Sequence, residues 1–81
     1  MNNSFSHIEN NSKAFRSKIG LSVKNLREQK GYSQDELAVL MNVNRSTISK
    51  IENGKFAVSI DYLERLSFVL DFDIQLNKLE K

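Results

Sequence analysis

The sequence has no cysteine and a single histidine, His7, which lies in a polar N-terminal stretch. Without cysteine there can be no disulfide, thiolate zinc site, iron–sulfur cluster or cysteine nucleophile, so we expect no metal, cofactor or thiol chemistry. No run of about 18 apolar residues occurs, and the opening residues lack the basic start and apolar run of a signal peptide. We therefore expect a soluble, cytoplasmic protein with no membrane partner.

Length and composition indicate one globular domain. The chain has 81 residues, of which 40% are hydrophobic and 27% charged, so it can build a single core but not two. Positive charge is concentrated before residue 34, where six Lys and Arg face two acids, whereas residues 59–81 are net acidic. The net charge of +2 does not by itself identify a partner.

The sequence shows no group of residues suited to catalysis. Neighbouring acids such as Asp35 and Glu36 are explained by helix caps and solvated faces, and there is no glycine-rich phosphate loop. We therefore predict that the protein is not an enzyme.

Hydrophobic periodicity predicts helices along most of the chain. Residues 1–11, rich in Asn and Ser, are assigned to a flexible N-terminal tail. A first helix follows from position 11 or 12, with apolar residues at helical spacing from Phe15 to Leu26, and Gly31 ends it. A second helix is predicted from the capping box of Ser33 and Glu36, in which each residue accepts a hydrogen bond from the backbone amide of the other.

A fourth helix is predicted from Ser59 to about Asp71. Its inward residues are predicted to be Ile60, Leu63, Leu66, Val69 and Leu70. The segment 72–81 then changes period, because the apolar residues Phe72, Ile74 and Leu76 alternate with polar ones, which is typical of a half-buried strand. Since no other segment predicts a strand, we expect this one to pair antiparallel with a second copy and to form a homodimer. The alternative is a short fifth helix.

The third helix, capped by Asn44 and closed by Asn53 and Gly54, has two distinct sides. Successive residues turn by about 100°, so Ile48 and Ile51 lie on one side. The opposite side carries Arg45, Ser46, Ser49 and Lys50. Such a helix fits the major groove of DNA, where arginine can bind both acceptors of guanine. A polar outer side is also normal for any surface helix, so this side alone does not identify DNA as the ligand.

The stretch LREQKGYSQDELAVLMNVNRSTISKIENGK resembles the Cro/repressor-type (xenobiotic-response-element) helix-turn-helix family of DNA-binding proteins. It has Leu-Arg, Gly followed by an apolar residue, Ser-Gln, Glu-Leu-Ala and Ile-Ser-x-Ile-Glu-Asn-Gly at the spacing of that family. The resemblance covers about residues 26–70. It implies an all-α, lambda-repressor-like domain of four helices at 12–71, with the third helix in the major groove. The chain departs from the pattern at Asn42, where glycine is common, and at Ala57-Val58, where proline is common.

The resemblance also implies roles for individual residues. Arg45, Ser46 and Lys50 would read bases, with Asn44, Thr47 and Ser49 as nearby contacts. Gln34, Asn53 and Lys55 would bind phosphates. Arg27 and Glu52 would form a structural ion pair between the first helix and the end of the third.

These expectations favour a homodimeric transcriptional repressor that binds an inverted-repeat operator in double-stranded DNA. The C-terminal segment also resembles the short strand of some antitoxins, so the alternative is an antitoxin that binds a toxin protein and represses its own operon. A domain that uses the third helix to bind only another protein is a further alternative.

Overall fold

The structure is a computed structural model that describes the backbone of residues 3–79 and the side chains of residues 11–79. It contains the helices α1 Asn3–Gln29, α2 Gln34–Met41, α3 Arg45–Glu52 and α4 Ile60–Leu70. The predicted all-α class with four helices is confirmed. Helices α2 and α3 are joined by a short turn, which is the helix-turn-helix arrangement that the resemblance implies.

Helix α1 begins at Asn3, well before the predicted start at position 11 or 12. The sequence has no glycine or proline between Asn3 and Ile19 that would end a helix, and Asn or Ser costs at most about 0.7 kcal/mol relative to Ala in a helix. A helix that is already nucleated by packing of its C-terminal half can therefore extend toward its N-terminus. Residues 1 and 2 of the predicted flexible tail lie outside the described residues.

The capping box at the start of α2 is confirmed. Ser33 Oγ accepts a hydrogen bond from the Glu36 amide at 3.0 Å, and the Ser33 amide donates to Glu36 Oε1 at 2.7 Å. Helix α2 is followed by Asn42 in the left-handed conformation, with φ of 57°. Asparagine tolerates this conformation better than most residues other than glycine, so the chain can turn sharply into α3.

The core is a cluster of buried apolar side chains to which all four helices contribute. Its members are Val23, Leu37, Ala38, Met41, Ile48, Ile51, Leu66 and Leu70. Two residues that periodicity placed near this cluster are instead exposed, Phe15 by 67% and Ile60 by 80%. Phe15 lies before Gly20, where α1 meets the end of α3, and Ile60 is the first residue of α4, so both lie at the margins of the packed region.

Helix α4 is bounded as predicted. Ser59 Oγ accepts a hydrogen bond from the Tyr62 amide at 3.1 Å, and Asp71 ends the helix in the left-handed conformation with φ of 55°. The Asp71 carboxylate also pairs with Lys30 just beyond the end of α1. This exposed pair joins the two long helices at one end of the domain.

The C-terminal segment differs from the prediction, since residues 72–79 form neither a strand nor a helix. The alternative of a fifth helix is therefore wrong for these residues. The predicted strand is also absent from the single chain over 3–79, because a lone strand needs a neighbour for its backbone amides and carbonyls. Phe72 packs half-buried against the core, whereas Ile74 and Leu76 are exposed. Pairing with a second copy stays a prediction.

Candidate nucleic-acid interface

Helix α3 presents its predicted base-reading residues to solvent because its apolar side is fully used in the core. Ile48 and Ile51 are 0% and 1% exposed. On the outer side Arg45, Ser46 and Lys50 are exposed, and the flanking Thr47 and Ser49 are half-buried. The structure thus brings these polar side chains together on one short, rigidly held helix.

Asn44 precedes this helix and is exposed. It has the extended backbone of an N-cap, with φ of −77° and ψ of 149°, but its side chain makes no capping hydrogen bond. The side-chain amide is therefore available to a ligand. The first amides of any α-helix also lack intrahelical acceptors, so this end of α3 offers hydrogen-bond donors.

The loop after α3 is hydrogen-bonded to the last turn of the helix. Asn53 Nδ2 donates to the Ser49 carbonyl at 2.9 Å, and the Lys55 amide donates to the Lys50 carbonyl at 2.8 Å. Lys55 is exposed. Two residues predicted to bind phosphate, Asn53 and Lys55, are thereby placed at the C-terminal end of α3.

Arg27 and Glu52 form a buried ion pair between α1 and α3. Arg27 Nε donates to Glu52 Oε2 at 2.7 Å, and Arg27 Nη2 donates to Glu52 Oε1 at 3.0 Å. Arg27 Nη1 also donates to the Tyr32 carbonyl at 2.8 Å. The hydrogen bond to Glu52 raises the pKa of Arg27 above its ordinary value, against the opposing effect of burial. The pair fixes the end of α3 against α1.

Gln34, predicted to bind phosphate, takes part in the same network. Its Nε2 donates to Glu52 Oε1 at 3.1 Å, and the residue is half-buried. A side-chain amide has two N–H donors, so one of them stays available after this bond. The groups of Gln34 that are open to the predicted phosphate contact are therefore the second N–H and the backbone amide at the start of α2.

Asp35 was not among the predicted site residues, although it lies next to Arg45. Its Oδ1 is 3.6 Å from Arg45 Nε, and both side chains are well exposed. The two residues belong to different helices, and nothing in the sequence indicates the contact. An exposed pair of this kind contributes at most about 1 kcal/mol. It nevertheless places a carboxylate beside the arginine predicted to read bases.

Two glycines allow the close approach of α1 to the end of α3. A Cβ on Gly20 would lie 2.2 Å from the Ile51 carbonyl oxygen, and one on Gly54 would lie 2.7 Å from Ser17 Oγ. The contact made by Gly20 was also not predicted from the sequence. A usable signal exists, because an isolated glycine costs about 1 kcal/mol in a helix and often marks a packing contact.

The described part of the chain offers no other evident chemistry. Among its residues, no group of three or more His, Asp or Glu side chains could hold a metal ion. None of its helices combines the length and hydropathy needed to cross a bilayer.

Comparison with known proteins identifies the family. The helix-turn-helix family model matches residues 23–77. The ImmF control region 10 kDa protein of Bacillus phage phi105 is 31% identical over 62 residues, which cover 76% of this chain and 69% of the phage protein. The transcriptional regulator SinR of Bacillus subtilis is 44% identical over 57 residues, or 69% of this chain. The match covers about half of SinR, 51% of its length.

A solved structure agrees with this assignment. The restriction-modification controller protein C.AhdI from Aeromonas hydrophila superposes with a TM-score of 0.70 at 35% identity, covering 74% of this chain and 91% of C.AhdI. SinR is named as a transcriptional regulator and C.AhdI as a controller protein. The chain therefore belongs to the Cro/C1-type helix-turn-helix family of DNA-binding transcriptional regulators.

Proposed function

We propose that this chain is a homodimeric transcriptional repressor that recognises an inverted repeat in double-stranded DNA. The observation that carries the proposal is the division of α3 between a buried apolar side and an exposed side. Ile48 and Ile51 hold the helix rigidly, and Arg45, Ser46 and Lys50 face outward. Donors on a rigid helix can discriminate bases, because little conformational entropy is lost when they bind. The same donors on a mobile segment would lose entropy with every contact.

Phosphate contacts supplement base reading in this proposal. Asn53 and Lys55 lie at one end of α3, and Gln34 begins α2, which crosses beside it. Contacts of this type set the position of a protein on the duplex without reading its sequence. They also make the affinity fall as salt concentration rises, since each bound phosphate releases counterions.

Exposed apolar residues support the dimer. We call the set on α4 and the segment after it the C-terminal apolar surface. Its members are Ile60, Phe68, Ile74, Leu76 and Leu79, each of which is at least half exposed. A soluble chain gains free energy by burying such side chains, at about 25 cal/mol per Å² of apolar area. A second copy related by a twofold axis would bury the same surface on both chains.

Selection of bound duplexes from a random pool tests the proposal directly. A dimer with two copies of α3 should recover an inverted repeat whose half-sites are centred about 34 Å, or one helical turn, apart. Recovery of a single asymmetric half-site would contradict the dimer. Recovery of no preferred sequence would contradict sequence-specific binding itself.

Sedimentation equilibrium tests the dimer separately. The mass should be twice the 9.3 kDa of one chain. Phe68→Gln should shift the protein toward the monomer, because Phe68 lies on the C-terminal apolar surface and is 71% exposed. Leu21→Gln is the matched control, since Leu21 is also an exposed apolar residue but lies on α1.

The antitoxin alternative assigns the same C-terminal apolar surface to a toxin. The exposure of Leu76 and Leu79, at 96% and 76%, favours this alternative, because a toxin could cover both side chains. Co-expression with the product of a neighbouring gene distinguishes the two functions. A stable complex that replaces the homodimer supports the antitoxin, whereas an unchanged homodimer supports the plain repressor.

A further inference from the structure

The N-terminal part of α1 carries basic side chains on the side that faces the end of α3. The family model begins at residue 23, so residues 3–22 of α1 lie before the matched region. Lys13 and Arg16 are both exposed. The sequence has no acidic residue between Asn11 and Arg27, and among the side chains described at 11–79 no carboxylate pairs with either cation.

Two close contacts set the orientation of this surface. Gly20 touches the last turn of α3, because a Cβ there would lie 2.2 Å from the Ile51 carbonyl oxygen. Gly54 touches Ser17, because its own Cβ would lie 2.9 Å from the Ser17 Cα. The residue after Gly54 is Lys55, which we propose binds phosphate. The α1 backbone therefore passes directly beside the proposed phosphate contact.

Helix geometry places the two cations relative to these contacts. With about 100° per residue, Lys13 lies about 20° from the direction of Gly20, and Arg16 lies about 40° from it on the other side. With a rise of about 1.5 Å per residue, Arg16 lies about 6 Å before Gly20 along the helix axis, and Lys13 lies about 10 Å before Gly20. Both residues thus lie on the side of α1 that contacts the end of α3, within about two turns of Gly20. Lys18 lies about 160° from Gly20, on the opposite side of α1.

We propose that Lys13 and Arg16 form a second phosphate-binding surface that extends the contact with duplex DNA outward from each half-site. The inference rests on the proposed DNA-binding function. The ligand is the sugar-phosphate backbone beyond the phosphates bound by Lys55, and the contact is independent of base sequence. Lys13 and Arg16 are both exposed, and neither pairs with a carboxylate among the side chains described at 11–79. Binding of such cations to DNA phosphates is favoured because it releases condensed counterions.

The test compares three forms of the full chain on the selected operator with flanking DNA: wild type, the double variant Lys13→Gln with Arg16→Gln, and the control Lys18→Gln. The double variant should bind about tenfold more weakly at low salt, by the same factor on operator and random duplexes. The slope of log affinity against log salt should fall by about 0.9 for each phosphate that the variant no longer neutralises. Lys18→Gln removes a charge from the same helix but should leave affinity and slope close to those of wild type.

Phosphate-ethylation interference locates the contact. Ethylation of the phosphates bound by Lys55 should interfere with binding of wild type but not of Lys55→Ala. Ethylation of a second, outer set of phosphates should also interfere with binding of wild type. The double variant should be insensitive to ethylation of this outer set. Thermal unfolding followed by circular dichroism should be unchanged in every variant, because the altered side chains are exposed.

Failure of the inference is distinguishable from failure of the proposed function. If wild type selects an operator but the double variant keeps its affinity, salt slope and ethylation pattern, the second surface is wrong and the repressor stands. A loss in log affinity for Lys18→Gln of half that of the double variant or more would also overturn it, since the single variant removes one charge and the double variant two, and net charge alone would then explain the effect. If wild type binds no duplex, the proposed function fails first.

Discussion

Helices α2 and α3 have the same length but begin in opposite ways. Helix α2 starts with a complete capping box, and its first turn contains Asp35 and Glu36, which suit the positive end of the helix dipole. Helix α3 starts at Asn44 with no side-chain cap, and its first residue is the cation Arg45. By the rules for helix stability, α3 therefore has the weaker start.

The difference is the one expected between a supporting helix, α2, and the proposed DNA-reading helix, α3. The polar groups at the start of α2 satisfy each other, whereas those at the start of α3 are left available to a ligand. Residues that break a local rule without a local benefit are expected at functional sites. Helix α3 is held in place instead by its buried apolar side and by the ion pair of Glu52 with Arg27. Four predictions test this contrast, from the largest effect to the smallest.

Ile48→Ala should have the largest effect on stability. Ile48 is fully buried, and removing its side chain both reduces apolar burial and leaves a cavity, at a cost of about 4 kcal/mol. Urea unfolding measures the change. A destabilisation below about 1 kcal/mol would contradict the view that the buried side of α3 holds the helix.

Glu52→Gln should cost about 3 kcal/mol in unfolding free energy, because it leaves the buried Arg27 guanidinium without its carboxylate. The double variant Arg27→Met with Glu52→Leu is the control. It should be less destabilised than the single variant, since no buried charge is then left unpaired. A double variant that is worse than the single one would show that hydrogen bonds, not the unpaired charge, account for the destabilisation.

Arg45→Ala should weaken operator binding by about 2 kcal/mol and relax the preference for the correct base, while leaving the melting temperature unchanged. The side chain is exposed, and its pairing with Asp35 is long at 3.6 Å. Lys55→Ala should instead weaken binding to operator and random duplexes alike. Equal weakening on both duplexes for Arg45→Ala would remove Arg45 from the base-reading set.

The smallest expected effects come from substitutions at the two N-cap positions, Ser33 and Asn44. Ser33→Ala should cost about 1 kcal/mol of stability, because it removes the capping hydrogen bond to the Glu36 amide. Asn44→Ala should change stability by only about a few tenths of a kcal/mol, because its side chain makes no capping bond, and should lower operator affinity. Thermal unfolding and titration with operator DNA measure the two effects. Similar destabilisation by both changes would erase the contrast between α2 and α3.

Much of the fold was predictable because local rules agree with each other. The capping box, the left-handed Asn42 and the cap at Ser59 all depend on residues within a few positions. The start of α1 was predicted too late, because composition indicates low helix preference but not how far a helix stabilised elsewhere can extend. The strand predicted after residue 71 was wrong for the single chain, because a strand depends on a neighbour that periodicity does not reveal.

The site was predictable in part for the same reason. Helical periodicity alone separates Ile48 and Ile51 from the exposed row that begins at Arg45. It could not reveal that Asp35 lies beside Arg45, that Gln34 donates to Glu52, or that Gly20 touches the end of α3. Each of these contacts joins two different helices.

The sequence by itself determined the helices of the helix-turn-helix unit and the outward side of α3, because the capping box of α2 and the periodicity of both helices act over a single turn or two. Only the tertiary structure decided which groups on separate helices meet. The approach of α1 to α3 through Gly20 depends on the crossing of two helices, and backbone contact there requires the absence of a Cβ. That crossing is set by packing of the whole core, which no local stretch of sequence specifies.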